Sequence, residues 1–153
     1  MATAAKTVRL REYRPRDFDA LWEIDQACYE PAVAYSRREL RNYMRFPGSD
    51  CIIAEMDRKP VGFILTAHRE VWGYIITIDV LGRYRRLRAG SRLLNEAERR
   101  LAETGVREIA LETATDNSSA IAFWQRHGYR TRGIKKGYYP GGRDAYSMSK
   151  LLA

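Results

Sequence analysis

Residues 74–94 read YIITIDVLGRYRRLRAGSRLL, and this stretch joins the two patterns that decide the fold. Its first seven residues are rich in β-branched side chains and apolar on both faces, which is typical of a central strand. From Ser91 onward the pattern predicts a helix with an apolar stripe of Leu93, Leu94, Ala97 and Leu101. Five arginines lie between 83 and 92, beside Gly90. A helix start exposes unpaired N–H groups and the positive end of the helix dipole, so this junction is suited to an anion.

The arginine-rich junction is open to three interpretations. Such a run can bind nucleic acid, can be a solvated surface, or can hold the phosphates of a small cofactor. Gly90 would let a ligand approach the backbone without a Cβ in the way, and arginines would add charge-assisted hydrogen bonds. The sequence lacks the GxxxxGK[ST] pattern of a nucleotide P-loop and the GxGxxG of a dinucleotide fold.

The size and composition of the chain are those of one globular domain, 1–153, with 45% hydrophobic residues. The opening residues MATAAKTVRLREY contain no apolar stretch of signal-peptide length, so we expect a cytoplasmic protein with no membrane contact. The net charge of +8 favours anionic partners without choosing among them.

Cysteine and histidine are too sparse for a metal site. Cys28 and Cys51 lie far apart with no CxxC pattern, and His68 and His127 are isolated. We therefore expect no metal, no disulfide in a reducing compartment, and thiols that pack in the core.

The remaining patterns complete a mixed α/β order, βααβββαβαββ. We expect strands over 8–13, 51–56, 61–67, 74–80, 107–113, 129–134 and 145–151. We expect helices that open at 15–17, at the capping box 36–39, at 91 and at 116–119. This order predicts a central, largely antiparallel sheet with helices on both faces.

Two blocks of the sequence resemble one enzyme family. Residues 78–94 resemble the acyl-CoA-binding motif Arg/Gln-x-x-Gly-x-Gly/Ala of the GNAT superfamily of N-acetyltransferases, with Arg85 and Gly90 at its ends and Arg88 where a glycine is usual. One strand later, residues 117–129, NSSAIAFWQRHGY, are similar to that family's Asn-x-x-Ala-x-x-Phe/Leu-Tyr-x-x-x-Gly-Phe segment. The flanking LETATDN and GYYPGGRDAYSM resemble the ribosomal-protein-alanine branch, the N-terminal acetyltransferases. The resemblance covers nearly the whole chain in order.

The resemblance implies a GNAT-like acyl-CoA N-acyltransferase fold and a fixed set of cofactor contacts. Acetyl-CoA would be the co-substrate, and the acceptor would be the N-terminal α-amino group of a protein such as a ribosomal protein. The diphosphate would lie at the arginine-rich junction, the pantetheine arm along the preceding strand, and further contacts would come from the second block. The residues implied are Ile78, Asp79, Val80, Arg85, Arg86, Leu87, Arg88, Ala89, Gly90, Ser91, Asn117, Trp124 and Arg126.

The resemblance also implies catalytic residues, with one departure. Glu112 resembles a catalytic glutamate and is our candidate for the general base. The family's usual acid, a tyrosine, is replaced by Trp124, and an indole N–H does not release a proton at working pH. Tyr138 and Tyr139 are therefore the candidate acids and also candidate substrate-binding residues, and Tyr35 is a further candidate for the acceptor site.

Other readings of the same chain remain open. The acceptor can be a lysine side chain or a small amine, because loops build the acceptor pocket. A nucleic-acid-binding module is a distant alternative, since no helix-turn-helix, RNP-like aromatic pair or zinc finger is present in the sequence. We expect a monomer or a weak dimer.

Overall fold

The computed structural model describes residues 7–152; residues 1–6 and 153, including the start of the segment inspected for a secretion signal, lie outside the described residues. The strands are β1 (Arg9–Glu12), β2 (Asp50–Met56), β3 (Lys59–Arg69), β4 (Trp72–Val80), β5 (Glu108–Ala114), β6 (Arg130–Lys135) and β7 (Ala145–Leu151). The helices are α1 (Phe18–Cys28), α2 (Arg37–Met44), α3 (Ala89–Glu103) and α4 (Ser118–Arg126), with 3-10 turns at Pro15–Asp17 and Gly82–Leu87. The expected element order is confirmed. Within 7–152, no helix has the length and apolar character needed to cross a bilayer.

One seven-stranded sheet carries the fold, in the order β1-β2-β3-β4-β5-β7-β6. Every neighbouring pair is antiparallel except β4 with β5, which run parallel. The apolar strand β4 is therefore central, as its composition predicts. The β2–β3 hairpin turns at Asp57 and Arg58, which both have positive φ, as hairpin turns that follow the strand twist require.

Each face of the sheet has its own core. On one face α1 and α2 bury a cluster that contains Leu21, Leu40, Cys51, Ile53 and Phe63. On the other face the α3 stripe packs with Ile64, Ile109, Trp124 and Tyr129. The prediction of helices on both faces is confirmed, and so is the apolar stripe of α3, whose four members are all buried.

A β-bulge interrupts the centre of β4. Leu65 pairs with Thr77 and Thr66 pairs with Ile75, so Ile76 has no partner in the register with β3. An extra residue shifts the alternation of side chains along a strand. The alternation of side chains between the two faces of the sheet is therefore shifted by one residue after Ile76, compared with an uninterrupted strand.

The helix starts show how local chemistry sets the boundaries. Ser36 Oγ accepts from the backbone N–H of Glu39, and the Glu39 carboxylate accepts from that of Ser36, which confirms the capping box of α2. By contrast, α3 begins at Ala89 rather than at Ser91. The reason is Arg88, which adopts a left-handed conformation with φ 60° and so ends the 3-10 turn one residue before the helix.

Candidate active site

A gap opens between β4 and β5 at the centre of the sheet. The two strands pair only through Trp72–Tyr74 and Glu108–Ala110. Beyond these residues β5 continues to pair with β7, as far as Ala114 with Ala145, whereas β4 continues to pair with β3. The carboxyl ends of parallel strands are where α/β sheets hold their ligands. Most of β4, from Ile75 to Val80, therefore borders this gap.

An acid–phenol–cation cluster lies at the start of the gap. Glu112 of β5 accepts a hydrogen bond from the hydroxyl of Tyr74 on β4, and its other oxygen is 2.5 Å from Nζ of Lys135 on β6. The Glu112 side chain is only 7% exposed, so it relies on these two partners. Burial, and then the Glu112 hydrogen bond, raise the pKa of Tyr74. The phenol therefore keeps its proton and acts as a donor to the carboxylate.

Four more tyrosines surround this cluster. Tyr35, from the α1–α2 connection, packs on Tyr43 of α2 with ring centroids 5.1 Å apart. Tyr138 and Tyr139, between β6 and β7, meet edge to face at 4.9 Å. Burial raises the pKa of Tyr139 to about 12, with Tyr138 and Glu112 adding to the effect. The aromatic wall formed by these four tyrosines thus places phenol rings close to one carboxylate.

Tyr35 is held at three points. Its backbone N–H donates to Asp25 Oδ2 at 2.8 Å, its carbonyl accepts from Trp22 Nε1 at 3.2 Å, and its hydroxyl donates to the Ile76 carbonyl at 3.2 Å. The neighbouring Tyr29 hydroxyl donates to the carbonyl of Ile78 at 3.0 Å. Alternate carbonyls of β4 are thereby tied to the α1–α2 connection.

The arginine-rich junction lies at the other end of β4. The first helical bond of α3 runs from Arg92 N to Arg88 O, and the Arg88 side chain makes no capping bond. The backbone N–H groups of 89–91 therefore have no partner within the helix and suit an anion. Arg85 donates its Nε–H to the Val80 carbonyl at 3.0 Å, so this predicted cofactor residue folds back on the strand.

Gly90 also lies at the contact between α3 and α4. A Cβ at Gly90 would lie 3.4 Å from the Phe123 ring, which is ordinary contact, so an alanine fits there. Close by, Ser91 Oγ is 2.9 Å from His127 Nε2. The start of α3 and the end of α4 are thus fixed against each other.

The second block supplies a cap and core residues. Asn117 is the N-cap of α4, and its side-chain oxygen accepts from Ala120 N at 3.2 Å. Trp124 is 5% exposed and packs edge to face on Tyr129, and Arg126 is exposed. The roles predicted for these three side chains toward a cofactor stay predictions.

The structure therefore groups the predicted residues into two sets. Glu112, Tyr35, Tyr138 and Tyr139 lie around the start of the gap, and the residues from 85 to 91 lie beyond the end of β4. Sequence reasoning missed Tyr74 and Lys135. No sequence signal points to Tyr74, because its position depends on the parallel pairing of β4 with β5. That pairing sets Tyr74 opposite Ala110, two residues before Glu112 and on the same face.

Comparison with known proteins gives a consistent result. A model of the Acetyltransferase (GNAT) family matches residues 18–129. A protein named N-alpha-acetyltransferase from Sulfurisphaera tokodaii is 28% identical over 99% of this chain and 97% of that protein. An uncharacterized N-acetyltransferase from Methanocaldococcus jannaschii is 30% identical over 92% of this chain and 90% of that protein.

Solved structures have the same fold. Ard1 from Thermoplasma volcanium superposes with a TM-score of 0.89 at 24% identity, covering 96% of this chain and 99% of that one. The ribosomal-protein-S18-alanine N-acetyltransferase from Escherichia coli superposes with a TM-score of 0.85 at 23% identity, covering 96% and 95%. The predicted fold class is confirmed.

Proposed function

This chain belongs to the GNAT family of acetyltransferases, and we propose that it transfers the acetyl group of acetyl-CoA to the N-terminal α-amino group of a protein such as a ribosomal protein. The observation that carries the proposal is the Glu112 carboxylate, held between a phenol and an ammonium at the start of the β4–β5 gap. The names of relatives, N-alpha-acetyltransferase among them, support the same acceptor. We place this activity in the cytoplasm.

The chemistry needs a base, because only a neutral amine attacks a thioester. An α-amino group has a pKa near 8, compared with about 10.4 for a lysine side chain. A single carboxylate, acting directly or through one water, is therefore sufficient help for an N-terminus. In our proposal the incoming ammonium takes the place of Lys135 beside Glu112 and gives its proton to that carboxylate.

The leaving thiolate needs a proton, and Tyr74 is placed to deliver it. Burial is the first cause that raises the pKa of Tyr74, and the hydrogen bond to Glu112 adds to it. Once Glu112 has accepted the amine's proton, the contribution of that hydrogen bond is gone, and the phenol can donate to sulfur while it takes a proton from Glu112. The Glu112 carboxylate regenerated in this way takes the second proton, which the attacking nitrogen loses as the amide forms, and releases it to solvent. The acid role considered for Tyr138 and Tyr139 thus passes to Tyr74, and these two tyrosines keep the role of gripping the acceptor.

The remaining contacts fit an acyl-CoA. Free N–H groups at 89–91 and the surrounding guanidinium groups suit its diphosphate. From Tyr74 to Val80 the strand spans about 20 Å, so an extended pantetheine arm along it would carry the thioester toward Glu112. The carbonyls of Ile76 and Ile78 already accept tyrosine hydroxyls, but a carbonyl oxygen can accept a second hydrogen bond.

The test is a choice between two amines on one peptide. The protein and acetyl-CoA are incubated with a peptide that has a free N-terminus and one internal lysine, and with the same peptide blocked at its N-terminus. We expect one acetyl group on the α-amine of the first peptide and none on the second. Acetylation of the lysine in the blocked peptide at an equal rate would assign the enzyme to lysine acceptors instead.

A further inference from the structure

Two carboxyl groups meet in the interior between α1 and β4. Asp25 is 0% exposed and Asp79 is 1% exposed. Asp25 Oδ2 accepts from Tyr35 N, and Asp79 Oδ1 accepts from the Thr77 hydroxyl at 2.5 Å. The other two oxygens, Asp25 Oδ1 and Asp79 Oδ2, are the buried side-chain N/O atoms within 7–152 that no donor of another residue reaches.

The two orphan oxygens belong to carboxyl groups that lie close enough for a side-chain interaction that shifts the pKa of both. Two carboxylate anions cannot hydrogen-bond, because neither has a hydrogen to donate. A carboxylic acid and a carboxylate can, and the bond then satisfies both orphan oxygens. One proton held between the two carboxyl groups would therefore supply the donor that both orphan oxygens lack.

Hydroxyl hydrogen bonds from Thr77 and Tyr29 lower the pKa of Asp79 and so offset only part of its burial. Within 7–152, the ionisable groups that interact with the pair are acids or neutral phenols and thiols: Cys28, Tyr29, Tyr35, Glu39 and Cys51. Arg85, the cation that acts on Cys28, donates its Nε–H to Val80 O. Burial is the main cause that raises the pKa of both aspartates.

We propose that Asp25 and Asp79 share a single proton, and that this one-proton pair is a clasp which positions Tyr35 of the acceptor site against β4. The clasp acts through Asp25, whose second oxygen fixes the backbone of Tyr35, while the Tyr35 hydroxyl fixes the Ile76 carbonyl. Asp25 and Asp79 are thus positioning residues. Only the second half of the proposal, the effect on the acceptor, rests on the proposed function.

The shared proton has a measurable effect on stability. Between the ordinary aspartate pKa of 3.8 and its raised value, the folded pair binds one proton that the unfolded chain does not. The shared proton therefore adds to the free energy of unfolding below this pH window, and its contribution falls as the pH rises through the window. Within the window, the unfolding equilibrium constant rises by about tenfold per pH unit. Asp79→Asn replaces the shared proton by an amide N–H that does not titrate, so the same slope should vanish.

The first experiment measures unfolding by denaturant across pH for the wild type, Asp79→Asn and Asp19→Asn, the last removing an exposed acid from the same helix as Asp25. As the pH rises, we expect the free energy of unfolding to fall in parallel for the wild type and Asp19→Asn. For Asp79→Asn it should fall less, so this variant becomes more stable relative to the other two. Parallel curves for all three would overturn the shared proton. Infrared detection of a protonated carboxyl in the wild type above pH 6, lost in Asp79→Asn, decides the same point without relying on the variant's stability.

The second experiment measures the acceptor. Asp25→Ala removes the oxygen that holds Tyr35 N, so KM for the peptide should rise about tenfold, as expected for one lost buried hydrogen bond. Asp25→Asn keeps an oxygen there and should restore KM, and acetyl-CoA affinity should not change in either variant. A wild-type KM in Asp25→Ala, or an equal loss of acetyl-CoA affinity, would overturn the positioning role. If the wild type acetylates no peptide, the proposed function fails, while the stability and infrared results still decide the proton.

Discussion

The two ends of β4 differ in the sign and the exposure of the charged groups around them. At the Tyr74 end one carboxylate is nearly buried and has a cation and a phenol as direct partners. At the Val80 end several arginines are exposed around a helix start whose N–H groups are free. The comparison teaches that two kinds of polar group are separated along one strand: backbone donors suited to an anion lie at one end, and a nearly buried carboxylate with its two partners lies at the other.

The largest expected effect comes from placing a negative charge at the binding end. In Gly90→Glu the side chain would meet the Phe123 ring, and its carboxylate would repel a diphosphate at the start of α3. We expect acetyl-CoA binding to be lost in calorimetry. Gly90→Ala, whose Cβ only reaches ordinary contact with Phe123, is the control and should bind. Unchanged affinity in Gly90→Glu would remove the diphosphate from this helix start.

The next largest effect should fall on the chemistry alone. Glu112→Gln removes the base but keeps a hydrogen-bond acceptor for Tyr74. We expect kcat for an N-terminal peptide to fall by about a hundredfold or more, the usual contribution of a general base. Affinity for acetyl-CoA, measured by calorimetry, should stay at the wild-type value, which separates this end of the strand from the other.

Tyr74 should give a smaller loss at the same end. Tyr74→Phe keeps the ring and removes the donor. We expect kcat to fall by about tenfold, less than the usual contribution of a general acid, because a thiolate can leave without being protonated. Tyr139→Phe is a matched control, because it removes a phenol hydroxyl from the aromatic wall. It should change KM for the peptide more than kcat. Equal effects of the two variants on kcat would argue against Tyr74 as the proton donor.

The element order was predictable because its signals are local. The capping box at 36–39, the stripe of α3 and the last strand, 145–151, each depend on residues close in sequence. The position of Glu112 on a strand beside the predicted cofactor site was likewise visible in the sequence.

Other features depend on distant parts of the chain. Asp25 and Asp79 are 54 positions apart, and the bulge at Ile76 exists only relative to β3. The contact of Tyr74 with Glu112 needs the parallel register of β4 and β5. No local pattern of residues carries this information, so periodicity and motif alone could not supply it.

The smallest expected effect concerns the unusual residue of the junction. Arg88 has φ 60°, in the left-handed region that favours glycine. Arg88→Gly should stabilise the fold by about 1 kcal/mol, which for a chain of this size raises Tm by about 2–4 °C. The matched control is Arg86→Gly, which removes the same charge from a position with ordinary φ and should not raise Tm. A lower Tm for Arg88→Gly would mean that the arginine side chain compensates for its backbone.

The central claim is that Glu112 takes the proton from an N-terminal amine beside a bound thioester. The most direct test is single-turnover acetyl transfer to a peptide with a free α-amine, at saturating acetyl-CoA, followed by intact-mass spectrometry for the wild type and Glu112→Gln. We predict acetylation of the α-amine by the wild type and a transfer rate about a hundredfold lower in the variant. Equal single-turnover rates for the two proteins would contradict the account.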